Sequence, residues 1–214
     1  MQKGRLFVVS GPSGAGKGTI CDELIKDGVG VLSISMTTRA LRGKEIPNVS
    51  YYFVSDEEFD KTIAEDGFLE YAGVYGHRYG TPKKPVLEAM ESGKDVILEI
   101  EMQGAQNVKN NYPDAILIFV LPPSLKELRN RLDKRNSDSP EQIIKRTAAT
   151  LSEIHKIKDY DYFLINDDLK SSVEVAEAII KAQHGDEDAA KLASGYVVNE
   201  AAIDMTKKYD EEAK

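Results

Sequence analysis

The sequence predicts an α/β fold in which helices wrap a parallel five-stranded sheet that carries an inserted β-rich lobe and a projecting helical segment. Short, wholly apolar runs are typical of strands buried on both faces of a parallel sheet. Helical stretches alternate with these runs, as they do when parallel strands are connected by crossovers. Regions 36–84 and 126–150 break the alternation and predict the two additions.

The predicted elements follow this pattern along the chain. The five strands are expected at Leu6–Val9, Val31–Ser35, Asp95–Glu101, Ala115–Leu121 and Tyr162–Ile165. Helices are expected at Thr19–Lys26, Ser55–Glu65, Pro85–Ser92, Ala105–Asn110, Ser124–Arg135, Pro140–Lys158 and Ser171–His184. The 214 residues suffice for one sizeable core with small inserted lobes.

The chain divides into core segments and three additions. The core comprises residues 1–35, 85–125 and 151–184. Short aromatic segments separated by glycines predict the β-rich lobe over 36–84, and the polar, arginine-rich stretch 126–150 predicts a helical hairpin. The tail, 185–214, has eight acidic and four basic residues and predicts an acidic helical extension. Either a solvated, loosely docked segment or a partner-binding tail agrees with that composition.

Composition narrows the functional class. The net charge of −8 disfavours a general nucleic-acid binder, which needs a basic face. No apolar run approaches the ~20 residues of a membrane span, and the N-terminus lacks a signal-peptide pattern. The single cysteine, Cys21, excludes an intramolecular disulfide. We therefore expect a cytoplasmic protein, monomeric or homodimeric, with no nucleic-acid or membrane partner.

A glycine-rich stretch, SGPSGAGKGT, follows the first strand and opens the first helix. Gly11, Gly16 and Lys17 fit the phosphate-loop pattern G-x-x-x-x-G-K-[ST], but Gly18 replaces the hydroxyl residue and Thr19 comes one place late. Backbone N–H groups at a helix start bind phosphate, and the lysine adds a charge near its outer oxygens. Mg²⁺ keeps several waters and relies on substrate phosphates, so glycine does not abolish a metal site. We expect Thr19 to reach an inner phosphate.

Two arginines, Arg39 and Arg42, follow the second predicted strand and can converge on one phosphate as planar forks. Seven motifs then occur in order over about residues 4–184: GPSGAGKGT, SISMTTRALRGKE, SYYFVS, FLEYAGVYGHRYGT, ILEIEMQGAQNV, RNRLDKRNSDSPEQIIKR and INDDL. On these motifs the chain resembles the guanylate kinases. The resemblance implies a P-loop kinase core with a GMP-binding lobe and an arginine lid. It also implies transfer of the ATP γ-phosphoryl group to GMP or dGMP, with Mg²⁺, in purine nucleotide metabolism.

The resemblance also implies roles for individual residues. The ATP-binding residues would be Gly11, Pro12, Ser13, Gly14, Ala15, Gly16, Lys17, Gly18 and Thr19, with Asn166 near the adenine. The GMP-binding residues would be Ser35, Arg39, Arg42, Tyr51, Glu70, Tyr79, Thr81 and Glu101. The catalytic residues would be Lys17, Arg39, Arg131, Arg135 and Arg146. The first two lid arginines lie four residues apart and share a helix face, where they would stabilise charge on the moving phosphoryl group.

The chemistry of guanine agrees with this assignment. Its Watson–Crick edge offers two donors, which suit the Glu70 carboxylate, beside an acceptor that suits the hydroxyls of Ser35 and Thr81. Adenine lacks the donor pair and would leave Glu70 buried and unpaired, which a hydrogen-bonding site can reject by ~10⁴–10⁵. No general base is needed, because the phosphate of GMP is already ionised at neutral pH.

Two carboxylates end the strand predicted at Asp95–Glu101. Glu99 and Glu101 share one face because side chains alternate along a strand, and they lie at the carboxyl edge where α/β proteins bind ligands. We expect Glu101 to orient the arginines or the water shell of Mg²⁺, although the family usually has aspartate there. The expected metal site therefore has no firm protein ligand.

Two other functions stay open at this stage. A non-catalytic guanylate-kinase-like module would use the lobe to hold a phosphorylated peptide. A kinase for another nucleoside monophosphate is the second alternative, since the Lys-Gly-Thr ending of the loop resembles adenylate kinase.

Overall fold

The computed structural model describes residues 2–43, 45–74, 76–134 and 150–213. The strands are β1 (Leu6–Ser10), β2 (Val31–Leu32), β3 (Met36–Thr37), β4 (Tyr52–Phe53), β5 (Phe68–Val74), β6 (His77–Pro82), β7 (Val96–Glu99), β8 (Ile116–Leu121) and β9 (Tyr162–Ile165). The helices are α1 (Lys17–Lys26), α2 (Asp56–Ala64), α3 (Lys83–Glu91), α4 (Met102–Asn111), α5 (Leu125–Lys134), α6 (Leu169–Ala182), α7 (Glu187–Ser194), α8 (Glu200–Met205) and α9 (Lys207–Glu212). Residues 150–154 are also helical and lead into a 3-10 helix, His155–Asp159.

The central sheet is parallel and has the order β2-β7-β1-β8-β9, which confirms the predicted five-stranded core. Its middle strand, β1, is buried along its whole length. Leu6 and Val8 face one hydrophobic cluster, whereas Phe7 and Val9 face another, because side chains alternate across the sheet. Two apolar layers therefore cover this sheet, and its carboxyl edge carries the loops that matter for function.

A second sheet forms within the segment predicted as the lobe. Its order is β4-β3-β6-β5, with β3 parallel to β4 and antiparallel to β6. The two-residue strands β3 and β4 have no alternating pattern long enough to predict. Aromatic rings hold this small sheet against α2, with the Phe59 and Phe68 centroids 4.5 Å apart.

Several helix ends differ from the predicted ones for local reasons. Ser55 lies just outside α2, where its side chain accepts a hydrogen bond from the Glu58 amide and caps the helix. The structure starts α4 at Met102, three residues earlier than expected, and so includes Gly104, a residue that lowers helix propensity. The helix predicted at Pro140–Lys158 is described only from residue 150 onward, where it tightens into the 3-10 helix.

The acidic tail contains three helices within its described residues, 185–213, and is packed against the core rather than loosely docked. Tyr209 is fully buried in the main core cluster, and Ala193, Ala202 and Thr206 are also buried. Residues 196–198 lie beside the edge strand β9, where Tyr196 O accepts a hydrogen bond from Phe163 N at 2.9 Å. The small alanines and one tyrosine give the tail an apolar face that its net charge conceals. No helix in the described ranges is long and apolar enough to span a membrane.

Candidate active site

The glycine-rich loop joins the carboxyl end of β1 to α1 and folds around Lys17. The Lys17 ammonium is almost fully buried and donates to the carbonyls of Gly11 at 2.8 Å and Pro12 at 3.1 Å. Gly16 has φ of +95°, and a Cβ there would lie 2.1 Å from Asn166 Nδ2, so glycine is required. The loop therefore presents the start of a helix and one lysine to the same space, as phosphate binding needs.

Asn166, which follows β9, holds the backbone of this loop through a hydrogen bond. Its Nδ2 donates to Ala15 O at 2.8 Å, and its Oδ1 accepts from Ser172 Oγ at 3.2 Å. The side chain expected near the adenine of ATP is thus bonded to the phosphate-loop backbone. An adenine contact by Asn166 remains a prediction, and the observed bonds give it a supporting role.

One cavity of about 240 Å³ joins the phosphate loop to the inserted lobe. Its lining comes from the loop, from the lobe and from the end of β7: Ser13, Gly14, Gly16, Lys17, Gly18, Ser35, Arg42, Tyr51, Glu70, Ala72, Tyr79, Glu99, Ile100, Glu101 and Gly104. The lining therefore includes six of the eight predicted GMP-site residues and five of the ten predicted ATP-site residues. Thr19 is exposed on α1 and is not part of this lining.

Arg39 lies buried at the lobe end of the cavity. Its two terminal nitrogens donate to both carboxylate oxygens of Glu45, at 2.9 and 2.7 Å, and its Nε donates to Tyr79 Oη at 3.1 Å. The guanidinium also lies 5.2 Å from the centre of the Tyr51 ring. The Glu45 carboxylate raises the pKa of Arg39, and Arg39 in turn lowers the pKa of Glu45. Both charges are thus fixed.

Glu45 was not among the predicted site residues. It also accepts a hydrogen bond from the Arg42 amide at 2.8 Å, so one carboxylate organises both arginines. The sequence did contain a signal, because the only acidic residue of the motif SISMTTRALRGKE lies three positions after Arg42. Burial raises the pKa of Tyr51 and so keeps its hydroxyl protonated as a donor.

Glu70 lies in β5, opposite Thr81 of β6. The Thr81 hydroxyl donates to Glu70 Oε1 at 2.7 Å, and both residues are buried. Burial raises the pKa of Glu70, and the hydrogen bonds from Thr81 oppose that rise. The Thr81 proton, expected at the base acceptor, is directed at Glu70. Gly104 is a further residue missed by the sequence reasoning, since a Cβ there would lie 2.8 Å from Glu70 Oε2.

Two carboxylates occupy the wall between the halves of the cavity. Glu101 precedes the first residue of α4, and Glu99 ends β7. A Cβ on Gly18 would lie 3.3 Å from both carboxylate oxygens of Glu99. Glycine in place of the usual hydroxyl residue thus leaves space for this carboxylate. Within the described ranges, no three or more histidine, cysteine, aspartate or glutamate side chains form a metal-binding group.

Arg131 reaches the phosphate loop from α5. Its Nη2 donates to Asn166 O at 2.9 Å, its Nη1 to Ala15 O at 3.4 Å and its Nε to Glu127 Oε1 at 3.1 Å. The two other predicted lid arginines, Arg135 and Arg146, lie outside the described residues, and their roles remain predictions.

Comparisons with known proteins agree on one family. The sequence profile described as guanylate kinase matches residues 3–183. Guanylate kinase from Clostridioides difficile is 50% identical over 184 residues, which are 86% of this chain and 90% of that protein. Guanylate kinase from Carboxydothermus hydrogenoformans is 52% identical over the same shares. The crystal structure of guanylate kinase from Anaplasma phagocytophilum superposes with a TM-score of 0.70 at 31% identity, covering 85% of this chain and 87% of that one.

Proposed function

The chain belongs to the guanylate kinase family and is an ATP:GMP phosphotransferase, and from this premise we propose how its residues divide the reaction. The observation that carries the proposal is the single cavity in which the phosphate loop, the Arg39–Tyr79 cluster and Glu70 meet. A donor phosphate at Lys17 and an acceptor phosphate at the arginines would then lie in the same cavity. Positioning of this kind supplies most of the catalysis of phosphoryl transfer.

Glu70 reads the guanine base in this proposal. Its buried carboxylate accepts from the two donors of the Watson–Crick edge, while Thr81 fixes the orientation of the carboxylate through the 2.7 Å hydrogen bond. Ser35 lines the same cavity and remains the hydroxyl available to the base acceptor. An adenine base lacks the donor pair and would leave a buried carboxylate unsatisfied, which is costly.

The acceptor phosphate is held by the lobe arginines and tyrosines. Arg42, Tyr51 and Tyr79 line the cavity, and Arg39 lies one layer behind them with its planar guanidinium pre-oriented by Glu45. Planar arginine forks match phosphate oxygens, and tyrosine hydroxyls add neutral donors. Their fixed geometry places one phosphate oxygen toward the donor for in-line attack.

The donor phosphates lie against the loop. Lys17 exchanges its neutral carbonyl partners, at 2.8 and 3.1 Å, for phosphate oxygens that carry full charge. Arg131 is bonded to the loop backbone and stabilises the charge that develops on the transferred group. Arg135 and Arg146 are assigned the same task from the family resemblance.

We also propose Mg²⁺ as the metal. Glu99 and Glu101 offer the oxygen ligands that Mg²⁺ prefers, and they line the cavity beside Lys17, so the donor set fits. When bound, Mg²⁺ neutralises charge on the phosphates of ATP. These two carboxylates would hold it together with its water shell, because Gly18 contributes no hydroxyl.

The wider setting is proposed on the same basis. Formation of GDP from GMP belongs to purine nucleotide metabolism and GMP recycling, and the single buried thiol suits a reducing cytoplasm. A monomer or homodimer is proposed because described residues of one chain line the whole cavity. The family membership does not favour the phosphopeptide module or the kinase for another monophosphate.

A coupled assay of ADP release tests the proposal. GMP, dGMP, AMP and UMP are compared as acceptors at equal concentration with ATP and Mg²⁺. We expect ADP release with GMP and dGMP and little with AMP or UMP. Equal rates with AMP would contradict the role of Glu70, and ADP release that does not depend on GMP would contradict the proposed reaction.

A further inference from the structure

The C-terminal tail holds the segment that connects β8 to α5. The fully buried Tyr209 donates its hydroxyl proton to Pro122 O, and Lys208 Nζ lies 3.4 Å from Pro123 O. Glu212 Oε2 accepts a hydrogen bond from Leu125 N at 2.7 Å. These contacts come from residues beyond 183, where the match to the family profile ends.

Glu212 provides a second cap for the N-terminus of α5 by accepting a hydrogen bond from Leu125 N. The first amides of a helix have no partner within the helix, and a carboxylate at this end is favoured by the helix dipole. Ser124 Oγ accepts from Glu127 N at 3.0 Å, and Glu212 accepts from Leu125 N. One cap is local, whereas the other is supplied from 87 residues away in the sequence.

The capped helix lies directly on the phosphate loop. Leu128 and Leu132 are fully buried, and a Cβ on Gly14 would lie 3.0 Å and 3.1 Å from their methyl groups. On the same helix, Arg131 is bonded to Ala15 O. A shift at the start of α5 would therefore move Leu128, Leu132 and Arg131 relative to the phosphate loop.

The tail also contacts the 3-10 helix His155–Asp159. Asp210 Oδ1 lies 3.0 Å from His155 Nε2, on the 3-10 helix. The short helix α9 therefore touches the start of α5 and the 3-10 helix His155–Asp159 together. We infer that Glu212 and Tyr209 are positioning residues for the ATP half of the site, which act by fixing α5 and with it Arg131. This inference rests on the role proposed for Arg131.

Glu212→Ala tests the inference through a difference between the two substrates. We expect the KM for ATP to rise about fivefold, the size of a lost helix cap, while the KM for GMP stays unchanged. Glu212→Gln keeps an acceptor oxygen and should restore most of the loss. Tyr209→Phe keeps the buried ring but loses the hydrogen bond to Pro122 O, so it should also raise the KM for ATP. Glu211→Ala, an exposed acidic neighbour on α9, is the control and should match the parent.

A double variant separates positioning from general support. If Glu212 acts through Arg131, then Glu212→Ala should add nothing to the ATP defect of Arg131→Ala, because the two changes break one pathway. Additive defects, or equal changes in the constants for ATP and GMP, would overturn the inference. The same variants are compared by calorimetry, which measures the Kd of a non-hydrolysable ATP analogue in the absence of GMP. A parent that binds this analogue but releases no ADP with GMP would contradict the proposed function and leave the positioning test intact.

Discussion

Arg39 and Glu70 are both buried charged residues, but their surroundings stabilise the two charges differently. Arg39 is bonded to Glu45 and Tyr79 without a ligand, and those bonds raise its pKa. Burial raises the pKa of Glu70, with the Thr81 hydroxyl as a partial counterweight. The charge of Arg39, proposed to bind phosphate, is therefore fixed in advance, whereas that of Glu70, proposed to read the base, would gain most when the donors of guanine reach it.

Glu70→Gln should lower kcat/KM for GMP about 10- to 100-fold, the value of a hydrogen bond to a charged group, because glutamine offers one acceptor and one unwanted donor. In the parent, the raised pKa of Glu70 means that the carboxylate gains a proton at a higher pH than an exposed glutamate. The KM for GMP should therefore rise as the pH falls through that range.

The phosphate of GMP also gains a proton near pH 6, and this affects the parent and Glu70→Gln alike. The effect of Glu70 is therefore given by the ratio of the two proteins' KM values for GMP at each pH. Steady-state kinetics between about pH 5 and 8 give this ratio. A Glu70→Gln protein whose profile for GMP has the same shape as that of the parent would show that protonation of Glu70 in the free enzyme does not govern GMP binding.

Arg39→Lys should also weaken GMP use, by about 10-fold or more, although it keeps the charge. Lysine has three donors on one nitrogen and cannot span Glu45 and Tyr79 as the guanidinium does. The matched control is Arg78→Lys, since Arg78 pairs with Asp56 and Asp60 on the outer side of the same lobe. Kinetics that vary GMP should separate the two variants, and equal defects would show that any lobe arginine suffices.

At the scale of elements, α4 packs closely against the proposed GMP site at Gly104. Gly104 leaves the space that the Glu70 carboxylate occupies, at 2.8 Å from where a Cβ would lie. Glycine within a helix costs about 1 kcal/mol relative to alanine. At position 104 the helix therefore loses some stability, and the space that glycine leaves is occupied by the Glu70 carboxylate.

Gly104→Ala should therefore separate stability from function. The midpoint of thermal unfolding should stay the same or rise, because alanine favours the helix. The displaced carboxylate should raise the KM for GMP, by up to about 100-fold for a shift near 1 Å. Gln103→Ala on the exposed face of α4 controls for helix propensity. A normal KM for GMP would mean that Glu70 moves aside without loss.

The sequence predicts an element well when the element has a local pattern, and poorly when the element forms through contacts with distant segments. The five core strands are predictable because apolar runs such as ILIFVL are buried on both faces. The strands β3 and β4 are two residues long and exist through pairing with distant segments, which leaves no local pattern. At the site, motif order predicts Glu70 and Arg39, but Gly104 is defined by the approach of α4 to β5, which only the fold reveals.

At the scale of the whole molecule, the tail is part of the folded core. Its residues 196–198 cover the edge strand β9, and Tyr209 packs in the cluster that contains residues of β1, β7 and β8. Net charge hides this, since seven of the eight acidic residues of the tail lie on helices that also carry buried apolar residues. A segment beyond the family match is thus packed into the same core as the phosphate-loop strand.

Tyr209→Ala measures how far the tail shares the stability of the core. Removing a large, fully buried ring should lower the free energy of unfolding by about 3–5 kcal/mol, and a single transition in urea should shift to lower concentration with the same slope. Leu192→Ala, at an exposed tail position, should change it by less than about 0.5 kcal/mol. If the tail were an independent unit, Tyr209→Ala would leave the main transition in place and add an earlier one. The shared core cluster leads us to expect one transition, in which the tail and the phosphate-loop core unfold together.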